Sequence, residues 1–141
     1  EIHHSPKVHR NGLTLLKFLM ISGDDIAGVN STVLHNLSIL ATSLRLFEDD
    51  EFIARELCGI MAHLSTDSEK ARAIIKQSDC VEAILKAQLR HRDLRIQHNS
   101  LWLHCSLLRD APSDAEQAFG GGVQVLEAMA LALGVPLATA E

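Results

Sequence analysis

The most reactive side chains in this sequence belong to three cysteines, Cys58, Cys80 and Cys105, and to eight histidines. Two metal ligands on one helix share a face when they are three or four residues apart. His98 and His104 are six apart, Cys105 is seven from His98, and Cys58 and His63 are five apart. None of these pairs meets that spacing, so no metal ligand set is expected. HExxH, GxSxG and phosphate-loop patterns are absent, and the glycines at 120–122 follow no strand that could turn them into a nucleotide cradle. All three cysteines stand beside aliphatic residues, as small buried hydrophobes do, and none has an evident activating neighbour. Neither catalysis nor a cofactor is expected. A histidine at a partner interface would titrate near pH ~6.5, but the spacing picks none out.

The elements that carry these residues must come from a chain of 141 residues that is 47 % hydrophobic, 4 % aromatic and 22 % charged. That is enough apolar matter for a real core and too short a chain for two ordinary domains. No apolar run reaches the roughly 20 residues of a membrane span. The net charge of −5 argues against a protein that grips nucleic acid. An odd number of widely spaced cysteines suits reduced thiols, hence an intracellular, cytoplasmic setting, with nucleus and cilium left open.

Apolar residues recur every three or four positions, the helical period, and no segment alternates as a strand would. A helix is expected from Val8. A second, capped at Asn30, Ser31 or Thr32, should run to Phe47. The acidic residues Glu48 to Glu51 suit the positive start of a third. Thr66 or Asp67 should cap a short helix ending near Ser78. Cys80–Arg90 and Leu94–Arg109 should form two more, parted by a polar break at His91–Asp93. Pro112, the 120–122 glycines, Gly134 and Pro136 punctuate a helical remainder.

These helices repeat. Val8–Leu19, Ile53–Leu64 and Ile96–Leu107 each open on a β-branched residue and close on leucine eleven positions later. Their starts are 45 and 43 residues apart. Val81 and Ile84 parallel Val123 and Leu126 at a step of 42. Periods of about 40–47 residues with two or three helices per unit mark helical repeat arrays.

The segment IQHNSLWLHCSL, Ile96 to Leu107, closely resembles the third helix of an armadillo repeat. VHRNGLTLLKFL from Val8 keeps the valine, the asparagine, the small glycine and the leucines, and IARELCGIMAHL from Ile53 is a looser version. AFGGGVQVLEAM from Ala118 and IIKQSDCVEAIL from Ile74 are similar to the family's junction between first and second helices. The resemblance implies an all-α, right-handed, armadillo-like α-solenoid over 1–141. It would hold about three units, near 8–49, 53–92 and 96–134. The phase, starting in a third helix and stopping after a second, implies a fragment of a longer array, with apolar ends open to self-association.

In such an array third helices line a concave face that can receive an extended or helical segment of a protein partner. Exposed positions would be the fourth, seventh and eleventh of each third helix. They are Asn11, Thr14 and Phe18, then Glu56, Gly59 and His63, then Asn99, Trp102 and Ser106. Trp102 is the leading anchor, with Asn99 one turn away and Arg95 as an orienting charge. Peptide-binding members of the importin alpha type carry tryptophan at the seventh position and asparagine at the eleventh. Here only Trp102 matches, so that kind of import cargo is not implied. Arg90, Arg92 and Arg95 form a basic cluster that could meet an acidic partner. The alternative role is a structural spacer within a large multidomain protein or assembly, and a third is the regulatory part of an enzyme.

Overall fold

The computed structural model describes residues 5–22 and 28–108. The unit boundary expected at 134, the glycine turn and the last expected helices lie outside the described residues. Within them the chain is all-α, with seven helices and no strand. They are α1 (Pro6–Ile21), α2 (Val29–Leu34), α3 (Leu37–Leu46), α4 (Glu51–Ser65), α5 (Glu69–Gln77), α6 (Cys80–Arg90) and α7 (Leu94–Leu108).

Most boundaries follow local chemistry. Pro6 occupies the first turn of α1, where its missing N–H costs nothing. Asp50 caps α4 by accepting from the Ile53 N–H at 3.2 Å. Asp93 does the same for α7, accepting from the Arg95 and Ile96 N–H groups at 2.9 and 3.1 Å. α5 is capped one residue later than expected, by Ser68, whose hydroxyl accepts from the Ala71 N–H at 3.0 Å.

The single helix expected up to Phe47 is two helices. His35 and Asn36 interrupt it, and both side chains turn back on the preceding turn. The Asn36 amide donates to the Thr32 carbonyl at 2.7 Å, and His35 Nδ1 lies 2.7 Å from the Ser31 carbonyl. Such bonds compete with the helical ladder. The start of α2 is Gly28 in the left-handed region, φ 69°, rather than a side-chain cap.

α1, α4 and α7 carry the three similar stripes, and they pack in that order with α4 in the middle. α3 packs on α6, and α2 on α5. Each of these neighbours comes from about one period further along the sequence. The core is richest in α4, where Ile53, Leu57, Ile60, Met61 and Leu64 are all buried. Ile96, Leu103 and Leu107 of α7 hold the same places in their own stripe and are buried as well.

Ion pairs repeat with the helices. Arg10 of α1 donates to the capping Asp50 through Nε and Nη2, at 2.8 and 2.6 Å. Arg55 of α4, at the same place in its stripe, lies 3.4 Å from the capping Asp93. Further along, Lys17 of α1 reaches Glu56 of α4 at 3.3 Å. Contacts made in the same order along both helices mean that α1 and α4 lie parallel. In the outer layer Arg45 pairs with Asp79 at 2.7 Å, and Arg90 with Asp49. Burial raises the Asp50 carboxyl, but the Arg10 and Ile53 hydrogen bonds outweigh it and leave the pKa below the usual carboxylate range.

Removing the shared cap should therefore be felt across two helices. Asp50→Ala should lower the unfolding free energy by about 1–2 kcal/mol, and Leu57→Ala, which empties a buried site, by about 2–5 kcal/mol. Asp49→Ala, at an exposed carboxylate, should change it by less than about 1 kcal/mol. Urea denaturation followed by circular dichroism measures all three.

Candidate functional site

The parallel set α1, α4 and α7 leaves one broad face whose relief is set by a glycine. Gly59 stands at mid-face on α4. A Cβ there would lie 3.3 Å from Lys17 Cε and 3.5 Å from Asn99 Nδ2. The missing side chain thus makes a notch into which Lys17 leans from one neighbouring helix and Asn99 from the other. Beside the notch a cleft of about 330 Å³ is lined by Thr14, Lys17, Phe18, Ile21, Ser22 and Glu56. Its walls are mostly apolar and its one carboxylate, Glu56, is held by Lys17.

Aromatic surface flanks this floor on both sides. Phe18 on α1 is 67 % exposed, and Trp102 on α7 is 49 % exposed. The imidazole of His98 lies over one side of Trp102, with ring centroids 6.2 Å apart and planes tilted by 37°. Exposed apolar side chains mark a contact surface where they form a continuous patch, and here Phe18 adjoins the mostly apolar cleft with Ile21.

The residues singled out from sequence divide clearly. Asn11, Phe18, Arg95 and Trp102 are exposed, and His63 and Asn99 are half-buried. Two expectations of exposure are corrected. Glu56 is only 8 % exposed, because Lys17 and the cleft wall close over it. Ser106 is only 1 % exposed and is part of the buried side of α7. The basic cluster also shrinks. Arg90 is taken up by Asp49 and Glu48, whereas Arg92 and Arg95 stay exposed. Lys17, Ile21 and Ser22 were not anticipated. Lys17 falls between the positions read as exposed, and Ile21 and Ser22 lie past the end of the twelve-residue stripe.

Behind the face, between α6 and α7, is a buried polar knot. Gln97 donates through Nε2 to the carbonyls of Gln88 and His91, at 2.8 and 2.6 Å. His104 Nε2 is 2.9 Å from the Gln88 side-chain oxygen. Burial pushes the His104 pKa down to about 4, so it stays neutral at physiological pH and is no interface switch. Burial also pushes the Cys58 and Cys80 thiols up to about 11. Cys58 and Cys80 are buried, whereas Cys105, for all its aliphatic sequence neighbours, is exposed.

Among the described residues no group of three His, Cys, Asp or Glu side chains could hold a metal ion. No described helix is long and apolar enough to cross a membrane. Comparison of the chain with protein-family models, curated proteins and solved structures gives no match.

Two measurements check this placement. The unfolded chain takes up a proton at an ordinary histidine near pH ~6.5, while folded His104 resists it down to about 4. Its contribution is thus full above the unfolded value and is lost as pH falls through that window, up to about 3 kcal/mol. His104→Gln should flatten this part of the stability-pH curve relative to wild type. Separately, a colourimetric thiol reagent at pH ~8 should find one fast-reacting cysteine in the folded chain, Cys105, and three after unfolding.

Proposed function

We propose that the chain is an armadillo-like helical array acting as a noncatalytic protein-interaction module in the cytoplasm. In this reading the α1–α4–α7 face receives an extended or helical segment of a protein partner. The observation that carries it is the pairing of two exposed aromatics, Phe18 and Trp102, on either side of the Gly59 notch. The repeated Arg10–Asp50 and Arg55–Asp93 pairs and the period of the packed helices support the array. Side chains that the core does not need are free to meet a ligand.

Affinity in this reading comes from apolar contact with Phe18, Ile21 and Trp102, the kind of anchors that dominate interfaces. Asn99 and Asn11 offer both donor and acceptor to a peptide backbone. His63 and Arg95 orient the segment at the two ends of the face. Glu56, already held by Lys17, serves as floor rather than as a primary contact, and Ser106 drops out of the contact set. No cofactor or metal enters this mechanism.

The test uses the only tryptophan in the chain as reporter. Peptides selected on the chain from a random 12-residue display library should shift Trp102 fluorescence to the blue on titration. Trp102→Ala and Phe18→Ala should each weaken peptide binding by roughly tenfold or more, with helical circular dichroism unchanged. Selected peptides that bind both variants as well as wild type, and leave the emission unmoved, would place binding elsewhere and overturn the reading.

A further inference from the structure

The outer layer, where α3 packs on α6, holds a cavity of about 400 Å³ that shares no residue with the α1–α4–α7 face. One stripe of α6 lines it: Ala83, Lys86, Ala87 and Arg90, spaced three and four apart and so on one side of the helix. The gap exists because two of those four are alanines, too short to fill the space toward Leu44 of α3. Both alanines and Leu44 are buried, and with Leu89 they make a floor that has no polar side chain. Neither helix stands at an end of the described chain, since α2 precedes α3 and α7 follows α6.

The rim is cationic. Arg45, Lys86 and Arg90 all line the cavity, against one carboxylate, Glu48, which lies 3.6 Å from Arg90. Each cation also has a carboxylate partner outside the lining: Asp79 for Arg45 and Glu82 for Lys86, both at 2.7 Å, and Asp49 for Arg90. All three partners are exposed, so these pairs are weak and position the cations more than they occupy them. Donors are left over. Arg45 gives Asp79 only its Nη2, and Arg90 gives Asp49 its Nε and Nη2, so Nη1 of each guanidinium has no partner among the described residues. The Lys86 ammonium has three N–H groups and one carboxylate partner. Lys86, through its hydrogen bond, and Arg45, through its charge, both lower the Glu82 carboxyl pKa, which places these two cations near one another. An anion arriving between them adds to the existing pairs and need not break them.

An occupant has to match both parts. The floor rewards an aliphatic chain and offers nothing to a polar one, while the rim rewards a single anionic group. A small inorganic anion would meet only solvated cations, and a plain hydrocarbon would leave the rim unused. Small-molecule sites are of this kind, about 300–1,000 Å³, mostly apolar, with a few fixed polar groups. We propose that the α3–α6 cavity is a binding site for a small amphiphile, a medium-length aliphatic chain ending in a carboxylate. The chain lies on Leu44, Ala83 and Ala87, and the carboxylate sits between Lys86 and the Nη1 of Arg45, away from Glu48 at the Arg90 end. The proposal does not depend on the peptide-binding reading, since the cavity lies in the other layer.

Titration of the 141-residue chain with sodium decanoate, followed by calorimetry and by amide NMR shifts, tests this directly. Decanoate should bind saturably, one per chain, between about 10 µM and 2 mM, and the shifts should gather on residues 44–48 and 83–90. Decylammonium, with the same chain and the opposite charge, should bind at least roughly tenfold more weakly, and acetate should not saturate over the same range. Lys86→Glu should weaken decanoate by roughly tenfold or more and tighten decylammonium. Lys86 is exposed, so this variant keeps its fold, which circular dichroism verifies. Lys70→Glu, the same charge change at an exposed site on α5, should leave decanoate binding unchanged. Ala83→Leu, which fills the floor, should weaken decanoate and decylammonium alike. Absence of saturable decanoate binding would overturn the proposal. So would equal affinity for decylammonium, binding that Lys86→Glu leaves intact, or shifts that gather on the Phe18 cleft instead of α3 and α6.

Discussion

The structure depends on the enclosure of α4 between α1 and α7. One helix can bury a stripe; α4 packs on both neighbours at once, and Ile53, Leu57, Ile60, Met61 and Leu64 are all buried along it. Burial of apolar surface at about 25 cal/mol per Å² is the main favourable term available to such a chain. It requires both neighbours to lie along α4 in the right register. The recurring arginine-to-cap contacts set that register, because Arg10 and Arg55 each meet an aspartate that is already fixed by starting the next helix. The cap orients the helix and the arginine ties it to its neighbour.

That arrangement also explains why chemistry is sparse on the face and polar groups gather behind it. Lys17 and Glu56 neutralise each other above Gly59, and the rest of the floor is neutral. In the buried knot Gln97 Nε2 donates to the carbonyls of Gln88 in α6 and His91 just beyond it, and His104 Nε2 meets the Gln88 side-chain oxygen, while Gln97 Oε1 is buried without a partner. Gln97 thereby holds the non-helical residues 91–93 in place and aims α7, with Trp102 on its outer side. Buried polar bonds of this kind fix geometry more than they add stability. The candidate contact surface is thus positioned by groups that never touch a ligand.

Much of this was legible in the residues. The helical period located α1, α4, α6 and α7 almost to their ends. The 45- and 43-residue steps marked the helices that pack together. Phe18 and Trp102 were found as exposed aromatics, and Cys58 and Cys80 as core. Helix period, caps and polar breaks act within a few residues, so a linear reading captures them. The division of α2 from α3 escaped that reading, although its cause is local. Nothing in a residue type says whether Asn36 will bond back to Thr32 or leave the ladder intact.

What only the tertiary structure decided is which neighbour lies over each residue. Equivalent positions in three similar stripes had the same sequence signature and different fates. Ile53 and Ile96 are buried, while Val8 stands in water, because α1 has no helix on its outer side among the described residues. Glu56 was expected to be exposed and is covered by Lys17, a residue 39 positions away. Ser106 is hidden in the same way, and Arg90 is drawn off by Asp49 across 41 positions. By itself the sequence determined the helices, their period and the apolar side of each. Exposure and ion pairing depend on residues brought together by packing, and that information resides in no single stretch of chain.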